Sequence, residues 1–91
     1  MHLYQTQIDA CNRALNSVRD SIPADLCSDV SDYINKFDEW GLGVEILIDQ
    51  ICEYDLRVTV VQCNAFVDAM KSMGLGESDR IRHIKSQCCT Q

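Results

Sequence analysis

The sequence predicts an all-α fold in one domain spanning residues 1–91, a small bundle of four helices followed by a short C-terminal helix. Two observations predict it. Apolar residues recur at steps of three and four through most of the chain, which is the period of an amphipathic helix. Helix caps and chain breakers separate these stretches, and no alternating pattern typical of paired strands interrupts them. With 91 residues, 46% of them apolar, the chain can bury one modest core.

The first predicted helix carries one apolar stripe and ends at Pro23. Pro23 suits the first turn of a second helix, and Asp25 suits the positive end of that helix's dipole. The second helix places Asp25, Asp29 and Asp32 opposite its apolar side. The first stripe consists of Tyr4, Ile8, Cys11, Leu15, Val18 and Ile22, and the second of Leu26, Val30, Tyr33, Ile34 and Phe37.

The third predicted helix begins near Trp40 and is the most apolar, so we expect it at the centre of the bundle. Its polar stripe repeats every four residues. Gly41 and Gly43 each cost about 1 kcal/mol of helix propensity relative to alanine, so we expect a neighbouring backbone to approach closely there. The polar stripe is Glu45, Asp49 and Glu53, and the expected core includes Leu15, Val18, Val30, Ile34, Ile46, Leu47, Ile51, Val67 and Met70.

The last two helices are predicted from their caps. Thr59 and Gln62 have the spacing of a capping box that begins a fourth helix, and Gly74 followed by Leu75 predicts a Schellman-type end. Ser78 is expected to cap a short fifth helix. This helix would bury Ile81 and Ile84 and point Arg80, Arg82 and Lys85 outward, and residues 88–91 would form a frayed end.

The negative charge is concentrated between Asp20 and Asp55. This block contains ten carboxylates and one cation, Lys36, for a formal charge of −9, whereas the whole chain carries −6. Such a segment repels nucleic acid and membrane surfaces and attracts basic proteins. Carboxylates at helical spacing often form only a solvated face, but a solvated face usually includes lysines as well. Both interpretations, solvated face and partner surface, stay open at this point.

The sequence offers no pattern of catalytic or metal-binding residues. His2 and His83 are far apart, and no C-x-x-C pair is present. Asp29, Asp32 and Asp38 lack the spacing of a calcium loop. No apolar run is long enough to span a membrane. We therefore expect no enzymatic activity, no metal and no cofactor.

Six cysteines, at positions 11, 27, 52, 63, 88 and 89, bear on the cellular compartment. Residues 1–5 include no basic segment followed by a long apolar run, so they do not resemble a secretory signal. Four of the cysteines lie on or beside apolar helical positions. We expect reduced thiols and a cytoplasmic protein; a disulfide framework in an exported chain is the alternative.

The segment from residue 32 to residue 75 resembles the MafI/CdiI-like immunity proteins, small helical antidotes to MafB-type and contact-dependent growth inhibition toxins. Residues 39–45 read EWGLGVE, residues 47–55 read LIDQICEYD, and residues 73–75 read MGL. These match the pattern E-[WY]-G-L-[AG]-x-E, its continuation L-x-D-Q-[IL]-x-E-x-[DN], and a terminal M-G-[LI]. The resemblance covers about half of the chain.

The resemblance implies a cytosolic protein that binds and blocks one cognate toxin domain, often a basic RNase, including those of the EndoU type. A basic active site would be complemented by the acidic block. We expect a monomer or weak homodimer with no direct contact to nucleic acid or membrane. The alternative is a helical adaptor or oligomerisation module. The predicted contacts are Asp38, Glu39, Glu45, Asp49, Glu53 and Asp55, with Trp40 and Tyr54 as anchors, although Trp40 also suits the core.

Overall fold

The computed structural model describes residues 4–88 and shows an all-α bundle, which confirms the predicted fold class. Within that part of the chain no strand forms, and Val58 and Cys88 make one isolated parallel bridge. The expected frayed end is therefore held at Cys88, and residues 89–91 lie outside the described residues. The helices are α1 (Gln5–Val18), α2 (Ala24–Asn35), α3 (Trp40–Glu53), α4 (Val60–Ser72) and α5 (Asp79–Ser86), and a 3-10 turn, Arg19–Ser21, follows α1.

Helix α3 packs against each of the other four helices, as its apolar composition predicts. Helix α1 packs against α2, α3 and α4, so α1 and α3 together form the interior of the bundle. The predicted core residues are buried, with the exception of Ile46, which is half-buried against the core. Phe66, Leu15, Leu47, Ile51 and Met70 are among the largest side chains that are completely enclosed.

Gly43 allows α2 and α3 to approach closely. A Cβ atom at this position would lie 3.1 Å from Cβ of Tyr33, 3.2 Å from Cγ1 of Ile34 and 3.3 Å from the carbonyl oxygen of Val30. At Gly41 the nearest neighbour would be Sδ of Met73, at 3.4 Å. The close approach expected at these two glycines is thus present mainly at Gly43.

The predicted caps are present. The Thr59 hydroxyl accepts from the Gln62 amide at 3.1 Å, and the Gln62 side chain accepts from the Thr59 amide at 2.8 Å. Gly74 has a φ of 76°, and the amide of Leu75 donates to Met70 in the Schellman pattern. The capping hydroxyl of α5 belongs to Ser78. Pro23 was expected in the first turn of α2 but lies one position earlier, as the N-cap residue.

The five cysteines in the described residues form no disulfide. Cys11, Cys27 and Cys63 are buried, and Cys52 and Cys88 are half-buried. Burial raises the pKa of Cys11 to about 12 and raises the pKa of Cys52 and Cys63 as well. Cys89 lies outside the described residues.

Candidate protein-binding surface

The predicted contact residues lie at three places along α3. Asp38, Glu39 and Trp40 precede or begin the helix, Glu45 and Asp49 occupy its middle, and residues 53–55 end it. At 1.5 Å per residue, the two ends of the helix are roughly 20 Å apart. The structure therefore divides the predicted site into three groups, each with different neighbours.

The turn between α2 and α3 exposes aromatic side chains beside carboxylates. Phe37 is 54% exposed and Tyr4 45% exposed, and Asp38 and Glu39 are also exposed. Trp40 is half-buried, packs against the core and contacts the Tyr4 ring, with ring centroids 5.5 Å apart. We call this group of five residues, Tyr4, Phe37, Asp38, Glu39 and Trp40, the corner surface.

The backbone of this turn accounts for the exposure of Phe37. The amide of Phe37 donates to the carbonyl of Asp32 at 2.9 Å, and the amide of Glu39 donates to the carbonyl of Tyr33 at 2.8 Å. Between them, Asp38 adopts a φ of 58°, in the left-handed region that only a few residue types tolerate. The Phe37 ring then meets Tyr33 edge-on, with ring centroids 6.0 Å apart, and Nζ of Lys36 lies over the ring, 6.0 Å from its centroid.

Two exposed aromatic residues of the corner surface were assigned to apolar stripes from the sequence. Tyr4 and Phe37 continue the helical spacing of α1 and α2, but both lie just outside those helices. Residues beyond the last turn leave the helical path, so the periodicity no longer determines where they point. Trp40, for which core and anchor were both expected, is half-buried, and this geometry is compatible with both roles.

Arg80 of α5 neutralises part of the acidic stripe in the middle of α3. Its Nε and Nη2 donate to the two carboxylate oxygens of Asp49 at 3.0 and 2.9 Å, and its Nη1 donates to Glu45 at 3.1 Å. The expectation that Arg80 points outward with Arg82 and Lys85 is therefore wrong for Arg80. Sequence periodicity placed it on the polar side of α5 but did not show that this side borders α3.

The guanidinium of Arg80 stays positively charged at ordinary pH. Hydrogen bonding to Asp49, the largest cause, raises the pKa of Arg80 above its already high usual value. A group with a raised folded-state pKa loses its stabilising effect only as the pH passes above its unfolded pKa. With one cation and two carboxylates, the cluster of Arg80, Glu45 and Asp49 has a formal net charge of −1.

The C-terminal end of α3 combines an exposed aromatic residue with a structural carboxylate. Tyr54 is 55% exposed and Glu53 is exposed. Asp55 has a φ of 54°, and its carboxylate accepts from the side-chain amide of Gln87 at 2.9 Å. That same amide donates to the carbonyl of Leu56 at 3.0 Å. Asp55 therefore fixes the connection that follows α3, whether or not it also contacts a partner.

Helix α2 presents two exposed carboxylates that form no ion pair with a cation among the described residues. Asp25 and Asp29 are exposed, and among residues 4–88 no cation forms an ion pair with either of them. Asp32, the third carboxylate on this face, is half-buried. Helix α2 leads directly into the turn at Phe37, and the exposed Lys36 separates its carboxylates from the corner surface.

The described residues show no arrangement suited to metal binding: nowhere between residues 4 and 88 do three His, Cys, Asp or Glu side chains meet to form a metal site. One open pocket of about 420 Å³ lies where α1 gives way to α2. Its lining contains a single cation and small polar and apolar side chains, which are Arg19, Ile22, Ala24, Cys27, Ser28 and Ser31.

Comparisons with protein-family models, curated proteins and solved structures give no significant match. The resemblance to the immunity proteins therefore stays a prediction. Among the helices of residues 4–88, none combines the length and apolar character required to cross a bilayer.

Proposed function

We propose that this chain is an inhibitory binding protein that neutralises a basic toxin domain in the cytoplasm by stoichiometric binding, without catalysis. Its partner would be a secreted nuclease of the EndoU-type RNase class, which must attract phosphate groups and so carries a basic active site. The motifs at residues 39–45 and 47–55 support the immunity role, and the acidic block supports a positively charged partner.

The corner surface is the observation that carries this proposal. It combines exposed rings with exposed carboxylates, and buried aromatic anchors supply much of the binding energy in protein interfaces. Asp25 and Asp29, which pair with no cation among residues 4–88, lie on the helix that leads into it. A basic partner would therefore meet apolar anchors within a field that attracts it. Glu53 and Tyr54 would extend the contact along α3, and Glu45 and Asp49 would take part together with Arg80.

The test is inhibition of RNA cleavage by purified basic RNase toxin domains, EndoU-type domains among them, at increasing amounts of this protein. We expect complete inhibition by one of them at a 1:1 ratio. Phe37→Ala should weaken that binding by at least about tenfold, because it removes an anchor without touching the core. Val61→Ala is the matched control, since Val61 is an exposed apolar residue of α4 and is 77% exposed. Equal loss in both variants would argue against the corner surface.

A second candidate, an oligomerisation or adaptor module, is favoured by exposed apolar residues near the other end of α3. Val60 and Val61 are exposed at the start of α4, and Tyr54 is exposed at the end of α3. Exposed apolar groups of this kind often mark protein contacts. Sedimentation of the wild type and of Val61→Asp distinguishes the two candidates. A wild type with the mass of an oligomer and a variant with the mass of the monomer would favour self-association.

A further inference from the structure

The pocket where α1 gives way to α2 differs from the rest of the acidic surface in the charge of its lining. Its volume of about 420 Å³ lies within the range of small-molecule sites, which is roughly 300–1,000 Å³. The lining contains the guanidinium of Arg19 and the hydroxyls of Ser28 and Ser31 but no carboxylate, although the whole chain has a formal charge of −6. The pocket therefore offers hydrogen-bond donors and a positive charge within the most acidic part of the chain.

Arg19 is held in place without being neutralised. Its Nε and Nη2 both donate to Oδ1 of Asn16, at 3.2 and 2.8 Å. Asn16 carries no charge, and among residues 4–88 no carboxylate forms an ion pair with Arg19. Its Nη1 donates to none of the described residues. A guanidinium oriented in this way can donate charge-assisted hydrogen bonds to an anion that enters the pocket.

Two hydroxyls of α2 add further donors. Ser28 and Ser31 are three residues apart and therefore lie on one face of the helix. The Ser31 hydroxyl accepts from Nδ2 of Asn35 at 3.4 Å, and neither hydroxyl donates its proton to a described residue. Ala24 begins α2 and also lines the pocket, so the positive end of the helix dipole borders it. The polar side of the pocket is thus suited to a group that accepts hydrogen bonds and carries negative charge.

We propose that this pocket binds a small monocarboxylic acid. The carboxylate would accept from Arg19 and the two serine hydroxyls, and the hydrocarbon part would pack against Ile22 and Cys27, which are 8% and 7% exposed. One cation matches one negative charge. Asp25 and Asp29 are exposed on the same helix and would repel a dianion such as phosphate more strongly than a monocarboxylate.

The experiment titrates the ¹⁵N-labelled protein with benzoate and follows the backbone amide signals, with benzamide and inorganic phosphate as comparison probes. Benzamide has nearly the shape of benzoate, but it is neutral and has a donor in place of one acceptor oxygen. We expect saturable shifts in the residues that line the pocket. The affinity for benzoate should be at least about tenfold higher than for benzamide, because charge-assisted hydrogen bonds are stronger than neutral ones. Phosphate should bind more weakly than benzoate.

Arg19→Met tests the assigned cation, because it removes the guanidinium and keeps an apolar stem at an exposed position. Arg13→Met is the matched control, since Arg13 is an exposed cation of α1 that does not line the pocket. The Arg19 variant should lose at least about tenfold in affinity for benzoate. Its affinity for benzamide should stay within about twofold of the wild type, and the control variant should keep both affinities.

Four results would each overturn the proposal. These are equal affinities for benzoate and benzamide, tighter binding of phosphate than of benzoate, equal benzoate affinities in the two variants, and benzoate shifts confined to the basic residues of α5. A titration of the wild type without saturable shifts would overturn it as well. The assay needs no toxin, so it succeeds or fails independently of the proposed function.

Discussion

Gly43 sets the separation of α2 and α3 at their contact. Gly43→Ala would improve helix propensity by about 1 kcal/mol but would press a methyl group against the carbonyl of Val30 and Cβ of Tyr33. These atoms belong to or adjoin the backbone of α2 and cannot move without shifting that helix. We expect a net loss of about 1 kcal/mol, measured by urea denaturation.

Gly41→Ala is the matched control for Gly43, because its new methyl group would meet only the flexible end of Met73 at 3.4 Å. It should be neutral or stabilising by a few tenths of a kcal/mol. Equal stability changes in the two variants would mean that α2 and α3 do not approach closely at Gly43.

Cys11 should lower the stability of the protein as the pH becomes alkaline. Its thiol has a pKa of about 12 in the folded state, raised by burial, against 9.0 as the ordinary value. Between these two values the unfolded chain loses the proton while the folded chain keeps it. The free energy of unfolding should therefore fall with rising pH above 9, by about 1.4 kcal/mol per pH unit from this group.

The measurement for Cys11 is a series of urea denaturations between pH 8 and pH 10.5. Cys11→Ala should show a shallower decline, although its stability at pH 8 is lower because of the lost side chain. Cys52 and Cys63 keep part of the slope in both proteins, since their pKa values are raised as well. Parallel curves for the wild type and the variant would contradict the assignment.

At the scale of elements, Arg80 is the main polar link from α5 to α3. Arg80→Met keeps the apolar stem and removes the guanidinium. Because the three side chains are 36%, 29% and 47% exposed, solvent screens the pair, and we expect a loss of only about 1 kcal/mol, seen as a lower melting temperature. The difference from the wild type should shrink in 1 M salt.

Arg82→Met controls for the loss of a positive charge on the same helix. Arg82 pairs with Asp79 within α5, and both side chains are largely exposed. The variant should stay within about 0.5 kcal/mol of the wild type. If Arg82→Met destabilised the protein as much as Arg80→Met, the general charge of α5 would matter rather than its contact with α3.

The elements themselves were largely predictable from the sequence, because local chemistry determines them. The capping box at Thr59 and the positive φ of Gly74 follow from residue type and spacing. The contact of Arg80 with α3 and the pairing of Val58 with Cys88 were not predictable, since both depend on how distant segments pack. Asp55 shows a third reason: it takes a left-handed position that glycine usually occupies, so its residue type predicted only a partner contact and no structural role.

At the scale of the whole molecule, charge should control how quickly a basic partner is met. The association rate should fall by at least about tenfold as the ionic strength rises from 0.05 to 0.5 M, because the Debye length shrinks below about 5 Å. Charge reversal is best placed at Asp25→Lys with Asp29→Lys. Charge reversal at Glu45 and Asp49 would also break their ion pairs with Arg80. A slower association could then result from lost stability rather than from lost electrostatic attraction.

Asp68→Lys with Glu77→Lys is the control for that pair, because it changes the net charge equally at exposed positions outside the acidic block. Stopped-flow association with the toxin domain should slow more for the α2 variant than for this control. Rates that are flat with salt, or equal for the two double variants, would remove the acidic block from the mechanism.

The length of α3 bears on stoichiometry. A typical protein interface covers about 800 Å² on each partner, which corresponds to a disc roughly 32 Å across. The two ends of α3 are roughly 20 Å apart, and the longest dimension of the described bundle is 38 Å. An interface of that size is therefore wide enough to include Trp40 and Tyr54 at once. A short peptide would reach only one end and leave the other free for a second molecule.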